Sequence, residues 1–348
     1  MDVSDLLALL AAFGGSTDGD TDADGDTDVT DLLNLLAAYG TASCGLLRPR
    51  ILVVGGNDGA GDLATAELYD PSADAWSAAA SMATAREGNA VAAIGGLVYA
   101  MGGYTGPFPH GSYLDSAEVY DAAADTWSPI AAMGTARYAS AAAAVGGRVY
   151  VTGGQTTGVS ALTSAAVYDP SAAVPESPSP NAWSPIADMG TARSRHTAVT
   201  VGDNVYVMGG VTIGYAALSS AEVYAVGSNS WRAIQPMRTA RYYHAAAAVG
   251  TEIYIVAGQG GRSAAFTTTE VYDTATGAWS SVAAIGASRM FKPAAVAIAG
   301  SLVVMGGWNR QGGALASVEA YDGVAGVWAG AAPMGTARRW TAAVVVVW

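Results

Sequence analysis

Six copies of one phrase run from Ile51 to Trp348, and no other feature restricts the fold as much. Paired glycines stand at Gly55-Gly56, Gly102-Gly103, Gly153-Gly154, Gly209-Gly210 and Gly306-Gly307, with Ala257-Gly258 as the one variant. A tyrosine follows each pair: Tyr69, Tyr120, Tyr168, Tyr224, Tyr272 and Tyr321. A tryptophan comes next: Trp76, Trp127, Trp183, Trp231, Trp279 and Trp328. An arginine closes the phrase: Arg86, Arg137, Arg193, Arg241, Arg289 and Arg338. Successive second glycines lie 47, 51, 56, 48 and 49 residues apart. A self-similar period near ~50 residues marks a repeat architecture and outranks any single motif.

Each copy holds four short β-rich runs between turn signals. In the second copy these are 90–94, 97–101, 117–121 and 126–130. Four strands per unit, repeated radially, make a propeller blade. The side chains fit a taper. The first run is small, as in AAAAV at 141–145, and belongs at the crowded axis. The last run carries the tryptophan, whose ring of roughly 150–250 Å² can fill the wedge between splayed blades. Residues 51–82 supply three runs of a blade and 338–348 supply the missing first one. The terminal strand should therefore pair with Ile51–Gly55 and remove two open sheet edges.

The Gly-Gly, Tyr-Asp and spaced Trp resemble the kelch repeat, in six copies over residues 51–348. That resemblance implies a mainly β fold: a six-bladed propeller closed by its C-terminal strand. Ala257 and Ala225, which stands where the Asp after Tyr224 should be, are the departures.

The rest of the chain differs in composition. Residues 1–42 hold nine Asp and no Lys or Arg, against a net charge of −13 for the whole chain. The remainder has 20 acidic and 16 basic residues, a balance that argues against nucleic-acid binding. No apolar run reaches the ~18 residues of a membrane span. Cys44 is the single cysteine, so no intrachain disulfide forms. Leu6–Phe13 is apolar, but Asp2 and Asp5 stand where a secretion signal carries positive charge.

DVSDLLALLAAFG at 2–14 recurs as DVTDLLNLLAAYG at 28–40. Before the second copy, Asp20, Asp22, Asp24, Asp28 and Asp31 occupy loop positions 1, 3, 5, 9 and 12, with Gly25 at 6. This is the spacing of an EF-hand Ca²⁺ loop, with Asp26 offering its carbonyl at position 7. A solvated acidic linker is the plainer reading of the same run. The terminal Asp followed by a Leu-rich helix looks like a dockerin module. The resemblance implies a small α-helical module at 1–42, bound calcium, a cohesin-like partner and an extracellular or cell-surface location. Val29-Thr30 and Val3-Ser4 stand where dockerins carry a hydroxyl pair. The first copy starts inside its loop, so only the second site is whole. Residues 43–50 form a linker, and 171–181 (SAAVPESPSPN) are a Pro-rich surface insert in the third copy.

Strand order puts the loop after each Gly-Gly and the segment before each first strand on one face. That face should gather Tyr104, Phe108, His110, Tyr113, Tyr215, Phe266 and Trp308 from the loops. Tyr138, Arg195, His196, Tyr242, Tyr243, His244, Phe291, Arg339 and Trp340 join them beside the repeated arginines. Variable aromatic loops on a rigid frame are where binding sites sit. Non-catalytic recognition of a protein or glycan is the expectation. The alternative is a carbohydrate-active or oxidase-like enzyme, because Tyr243-His244 resembles the copper pair of galactose oxidase, itself a kelch propeller. Cys44 lies outside the propeller, so that family's Cys–Tyr crosslink cannot form in the usual way.

The six arginines should ring the channel mouth, each paired with a glutamate that opens the third strand: Glu67, Glu118, Glu222, Glu270 and Glu319. The third copy has Ala166 instead, which would leave Arg137 free for an anionic group of a ligand.

Overall fold

The computed structural model describes residues 48–158, 161–171, 182–261 and 265–348. The chain divides into two units, Met1–Arg48 and Pro49–Trp348, and the second is described below. The calcium loop at Asp20–Asp31, the helical module and residues 172–181 of the insert lie outside the described residues.

Six four-stranded antiparallel sheets form the second unit. Blade 2 runs Ala90–Ile94, Leu97–Met101, Ala117–Asp121, Thr126–Ile130, and blade 3 Ala141–Val145, Arg148–Thr152, Ala165–Tyr168, Trp183–Ile186. Blade 4 runs Thr197–Val201, Asn204–Met208, Ala221–Ala225, Ser230–Ile234. Blade 5 runs Ala245–Val249, Glu252–Val256, Thr269–Asp273, Ala278–Val282, and blade 6 Ala294–Ile298, Ser301–Met305, Val318–Asp322, Val327–Ala331. Blade 1 joins the two ends of the repeat array. Its innermost strand is Ala342–Val346, paired with Arg50–Val54 in the register Ile51↔Val345, as the repeat arithmetic requires. The innermost strands touch in a closed circuit around one axis.

Burial follows the taper. The second strands are buried almost throughout, as in Ile51–Val54 and Val205–Met208. They carry β-branched residues on both faces because each blade is sandwiched between two others. At the rim each tryptophan reaches the blade before it. Trp127 Nε1 donates to Ala80 O at 2.9 Å, Trp231 to Ala187 O at 2.7 Å, and Trp76 to Ala332 O at 2.8 Å across the closure. The other three make the same bond. The indole thus fills the wedge and satisfies its one donor. The Tyr69, Tyr120 and Tyr224 hydroxyls donate to Asp74, Asp125 and Asn229, left-handed residues of the outer turns.

The Gly-Gly pair ends the second strand where the next blade passes overhead. A Cβ on Gly153 would lie 2.3 Å from Arg193 O, and its φ is +54°. Both constraints select glycine.

Candidate binding site

Each repeated arginine begins a lead-in to an innermost strand, four residues long in five blades and five in blade 6. In blade 2 this is Arg86-Glu87-Gly88-Asn89, and in blade 4 Arg193-Ser194-Arg195-His196. The arginine itself is structural. Arg86 Nη1 donates to Gly102 O and Ser116 O, and Nη2 to Glu118 Oε1 at 2.7 Å. Four further pairs repeat it: Arg193–Glu222, Arg241–Glu270, Arg289–Glu319 and Arg338–Glu67, at 2.7–2.8 Å. The glutamate also accepts backbone N–H groups of the preceding segment, Ala83 and Thr84 at Glu118. The charge is thus buried with its partner and its hydrogen bonds in place.

Arg137 has no glutamate, as expected, but the expectation that it is free to bind a ligand is corrected. It is only 2 % exposed and spends its donors on Gly153 O, Ser164 O and Ser164 Oγ. Burial pushes the guanidinium down to about 10. None of the six arginines lines either of the two cavities described below.

The third lead-in residue is left-handed in every blade: Gly88, Ala139, Arg195, Tyr243, Phe291 and Trp340, with φ between +51° and +62°. This turns its N–H toward the neighbouring blade. Gly88 N–H donates to Trp340 O, Ala139 to Gly88, Arg195 to Ala139, Tyr243 to Arg195, Lys292 to Tyr243 and Trp340 to Phe291, at 2.8–3.3 Å. A closed ring of backbone hydrogen bonds therefore encircles the axis. Blade 6 contributes two residues to it, because Lys292 is an extra left-handed residue after Phe291.

Above the ring opens a basin of about 920 Å³. Its floor is aromatic and buried: Tyr104, Tyr138 and Tyr243. Tyr104 meets Tyr113 and Tyr138 edge-on, at centroid distances of 5.5 and 6.0 Å. Its rim carries Phe108, 84 % exposed, and Tyr215, 55 % exposed. Two cations face in. The Arg195 guanidinium lies 4.6 Å from the Tyr215 ring and 5.1 Å from Tyr243, and Nη2 donates to Gln155 Oε1. Arg339 lies 4.6 Å from the Trp340 ring and donates to Asn57 Oδ1. Neither reaches a carboxylate among the described residues.

The wall that carries Arg339 also holds acidic groups, since Asn57 bonds both Arg339 and Asp62. Asp62 accepts from Asn57 Nδ2 at 3.0 Å and from Gly106 N at 2.8 Å, tying the blade 1 loop to blade 2. Beside it Glu87 is 6 % exposed, and its Oε2 has no partner among the described residues. Burial, and then the Asp62 charge, push the Glu87 carboxyl up to about 8.

The sequence matches a family model described as the KLHDC2/KLHL20/DRC7 Kelch-repeats domain, over residues 9–210, 88–288 and 139–347. The chain belongs to the kelch-repeat family. Among curated proteins the kelch propeller is similar to the Kelch repeat-containing protein kel-10 of Caenorhabditis elegans, 41 % identical over 83 residues. That match covers 24 % of this chain and 14 % of the relative. It is similar to Kelch-like protein 36 of Bos taurus, 28 % identical over half of this chain and 28 % of the relative. Alpha-scruin of Limulus polyphemus is 27 % identical over half of this chain and 19 % of its own length. Each match thus spans less than a third of the relative.

Of the residues expected on the face of this kelch propeller, nine line the basin: Tyr104, Phe108, Tyr113, Tyr138, Arg195, Tyr215, Tyr243, Arg339 and Trp340. His110 is exposed beyond the rim. Phe291 and Trp308 stack at 5.2 Å beside Trp340, Tyr242 packs on Tyr243, and Phe266 lies under Arg241. None of these five lines the basin. His196 and His244 do not reach it either, which corrects their placement on this face. They point below the ring, where Nε2 of each meets a threonine hydroxyl, Thr152 and Thr197. Tyr243 lines the basin and His244 the channel, so the two do not converge on one point. Among the described residues no three His, Cys, Asp or Glu side chains gather as a metal site. No helix among them is long and apolar enough to cross a membrane. The sequence reading missed Asn57, Asp62, Glu87 and Gln155. Glu87 was findable as the only acidic residue directly after a repeated arginine.

Proposed function

We propose that this kelch propeller is a protein-recognition module whose basin docks an exposed segment of a partner, with a carboxylate side chain at Arg195. One observation carries the reading. Arg195 is held between Tyr215 and Tyr243, oriented by Gln155, and meets no carboxylate among the described residues. Such a guanidinium is pre-organised for a bidentate carboxylate. The exposed Phe108 and Tyr215 flank it as apolar anchors of the kind that dominate protein interfaces. The kelch-repeat relatives support a protein partner; nothing in the geometry favours a glycan.

The test is selection of a random linear peptide library on the full chain, alongside a glycan array. Peptides enriched in acidic residues are expected, and Arg195→Ala should weaken them by about 1.5–3 kcal/mol, the range for hydrogen bonds to charged groups. Binding only to glycans, or peptide binding indifferent to Arg195, overturns the reading.

For residues 1–42 the proposal remains a dockerin-like module that binds Ca²⁺ through Asp20, Asp22, Asp24, Asp26, Asp28 and Asp31 and attaches the propeller outside the cell. It rests on the loop spacing alone. Calcium should raise the helicity of a 1–42 peptide; an unchanged circular dichroism spectrum at millimolar calcium would refute it.

A further inference from the structure

Lys292 is the only lysine in the chain. It is also the extra residue that blade 6 inserts into its lead-in, between Phe291 and Pro293. The insertion carries its side chain away from the basin. Nζ donates to Asn89 O of blade 2 at 2.6 Å, reaching past the lead-in of blade 1. There it lines a second cavity of about 130 Å³, on the channel side of the hydrogen-bonded ring.

The walls of this neck are of two kinds. Alanines at the start of the innermost strands, such as Ala90, Ala141 and Ala245, make it narrow and apolar. A collar of polar residues lies above them: Asn89, Ser140, His196, His244 and Thr341, each no more than 2 % exposed. Asn89 Oδ1 and Nδ2, Ser140 Oγ and both imidazole Nδ1 atoms are packed out of reach of solvent and have no hydrogen-bond partner among the described residues, so the amine is the polar group the neck presents. No Asp or Glu lines the neck. The amine therefore has no counter-charge in the neck, and an anion beside it would supply one.

The geometry points to a binding site for a short-chain carboxylate, with its head group on Lys292 Nζ and its alkyl tail along the alanines. The volume is that of about four waters at roughly 30 Å³ each, which fits a few heavy atoms in a row. A straight chain lies along the alanine walls better than a branched acid does, and a lone halide would leave them bare. The inference is independent of the basin and of any protein partner.

The titration of the neighbours agrees. Burial lowers Lys292 to about 8, so it is mostly protonated at neutral pH. The histidines that face it are neutral and do not compete for an anion. Burial pushes His196 well below the usual range and, with Arg241 nearby, His244 down to about 3. The other facing groups, Asn89, Ser140 and Thr341, do not titrate. Carboxylate binding should therefore hold below pH 8 and fall about tenfold per pH unit above it.

The experiment uses the full chain and sodium butyrate, with pivalate and chloride as controls at equal ionic strength. Calorimetry should show one butyrate site at pH 7, more than tenfold weaker at pH 9.5 and at least tenfold weaker in Lys292→Met. A second readout needs no variant. Cyanic acid adds across the N–H of an unprotonated amine to give a urea, and with one lysine the product maps to a single peptide apart from the N-terminus. Butyrate should slow this modification of Lys292 while pivalate does not. Equal protection by butyrate, pivalate and chloride, or full butyrate affinity in Lys292→Met, overturns the site. If Lys292→Met does not fold, protection of the unaltered protein decides.

Discussion

Glu87 is a carboxyl that the fold keeps protonated, and that has a sign. Its folded value of about 8 lies above the ordinary 4.5, so the native state holds the proton more tightly than the unfolded chain. The contribution is fully present below 4.5 and is lost as pH rises through 8, at up to ~1.4 kcal/mol per pH unit. Glu87→Gln copies the protonated form. It should leave stability unchanged at pH 4 and raise it by about 1–3 kcal/mol at pH 8.5, read by urea denaturation. An equal effect at both pH values would show that Glu87 does not titrate against Asp62. The buried arginines give a second contrast at this scale. Arg86→Ala abandons the Glu118 carboxylate, which is 4 % exposed, and should cost about 3–5 kcal/mol. Arg137→Ala abandons two carbonyls and a hydroxyl, and should cost about 1–3 kcal/mol. Equal losses in denaturant melts would mean that the glutamates carry little of the lead-in's stability.

At the scale of the element, the strand ends show what a sequence can and cannot declare. Paired glycines were legible because one steric problem recurs at a fixed interval. Blade 5 breaks the rule with Ala257, yet its φ is still +59°. The strand end keeps its geometry: Ala257 N–H to Thr268 O is 3.3 Å, against 3.0–3.2 Å for the matching bond at the five glycines. A left-handed alanine costs about 1–2 kcal/mol, while glycine adds about 0.4–1 kcal/mol of unfolded-chain entropy. Strain wins, so Ala257→Gly should stabilise by about 0.5–1 kcal/mol; a loss of stability in thermal melts would mean that the methyl packs better than its backbone is strained. Strand order likewise placed the lead-ins and post-glycine loops on one face, because antiparallel pairing alternates direction. Within the lead-in the prediction was poorer. Arg137, His196 and His244 were put on the face because they are near it in sequence. The left-handed residue in the lead-in turns the chain sharply, and one step from Tyr243 to His244 crosses from basin to channel. The Asp62–Glu87 contact and the hydrogen-bonded ring were not legible at all. The contact spans 25 residues, a separation with no periodic mark; the ring keeps the repeat spacing, 48 to 56 residues between neighbouring blades, but its residues, from Gly88 to Trp340, share no residue type that would announce it.

The propeller unit is a circle closed three times where its two ends meet. Ala342–Val346 pairs with Arg50–Val54 within blade 1. Trp76 at the rim bonds Ala332 of blade 6. Trp340 completes the backbone ring through Phe291 and Gly88. A linear repeat array propagates stability from neighbour to neighbour, so damage at one end fades with distance. A closed array has no end. Its innermost strands press on one another around the axis, and opening one seam lets every lead-in relax. Removing Ala342–Trp348 takes away the innermost strand of blade 1 but leaves all other blades chemically whole. If closure is what holds the circle, amides of Val205–Met208, in blade 4 across the axis, should lose hydrogen-exchange protection as much as those of Ile51–Val54. The melting midpoint should fall by ~10 °C or more in a single transition, since a change of a few kcal/mol moves a domain of this size by that amount. Protection lost only in blades 1, 2 and 6, with blade 4 intact, would mean that the blades stand by nearest-neighbour packing and that the ring at the axis is a consequence of the fold, not its clasp.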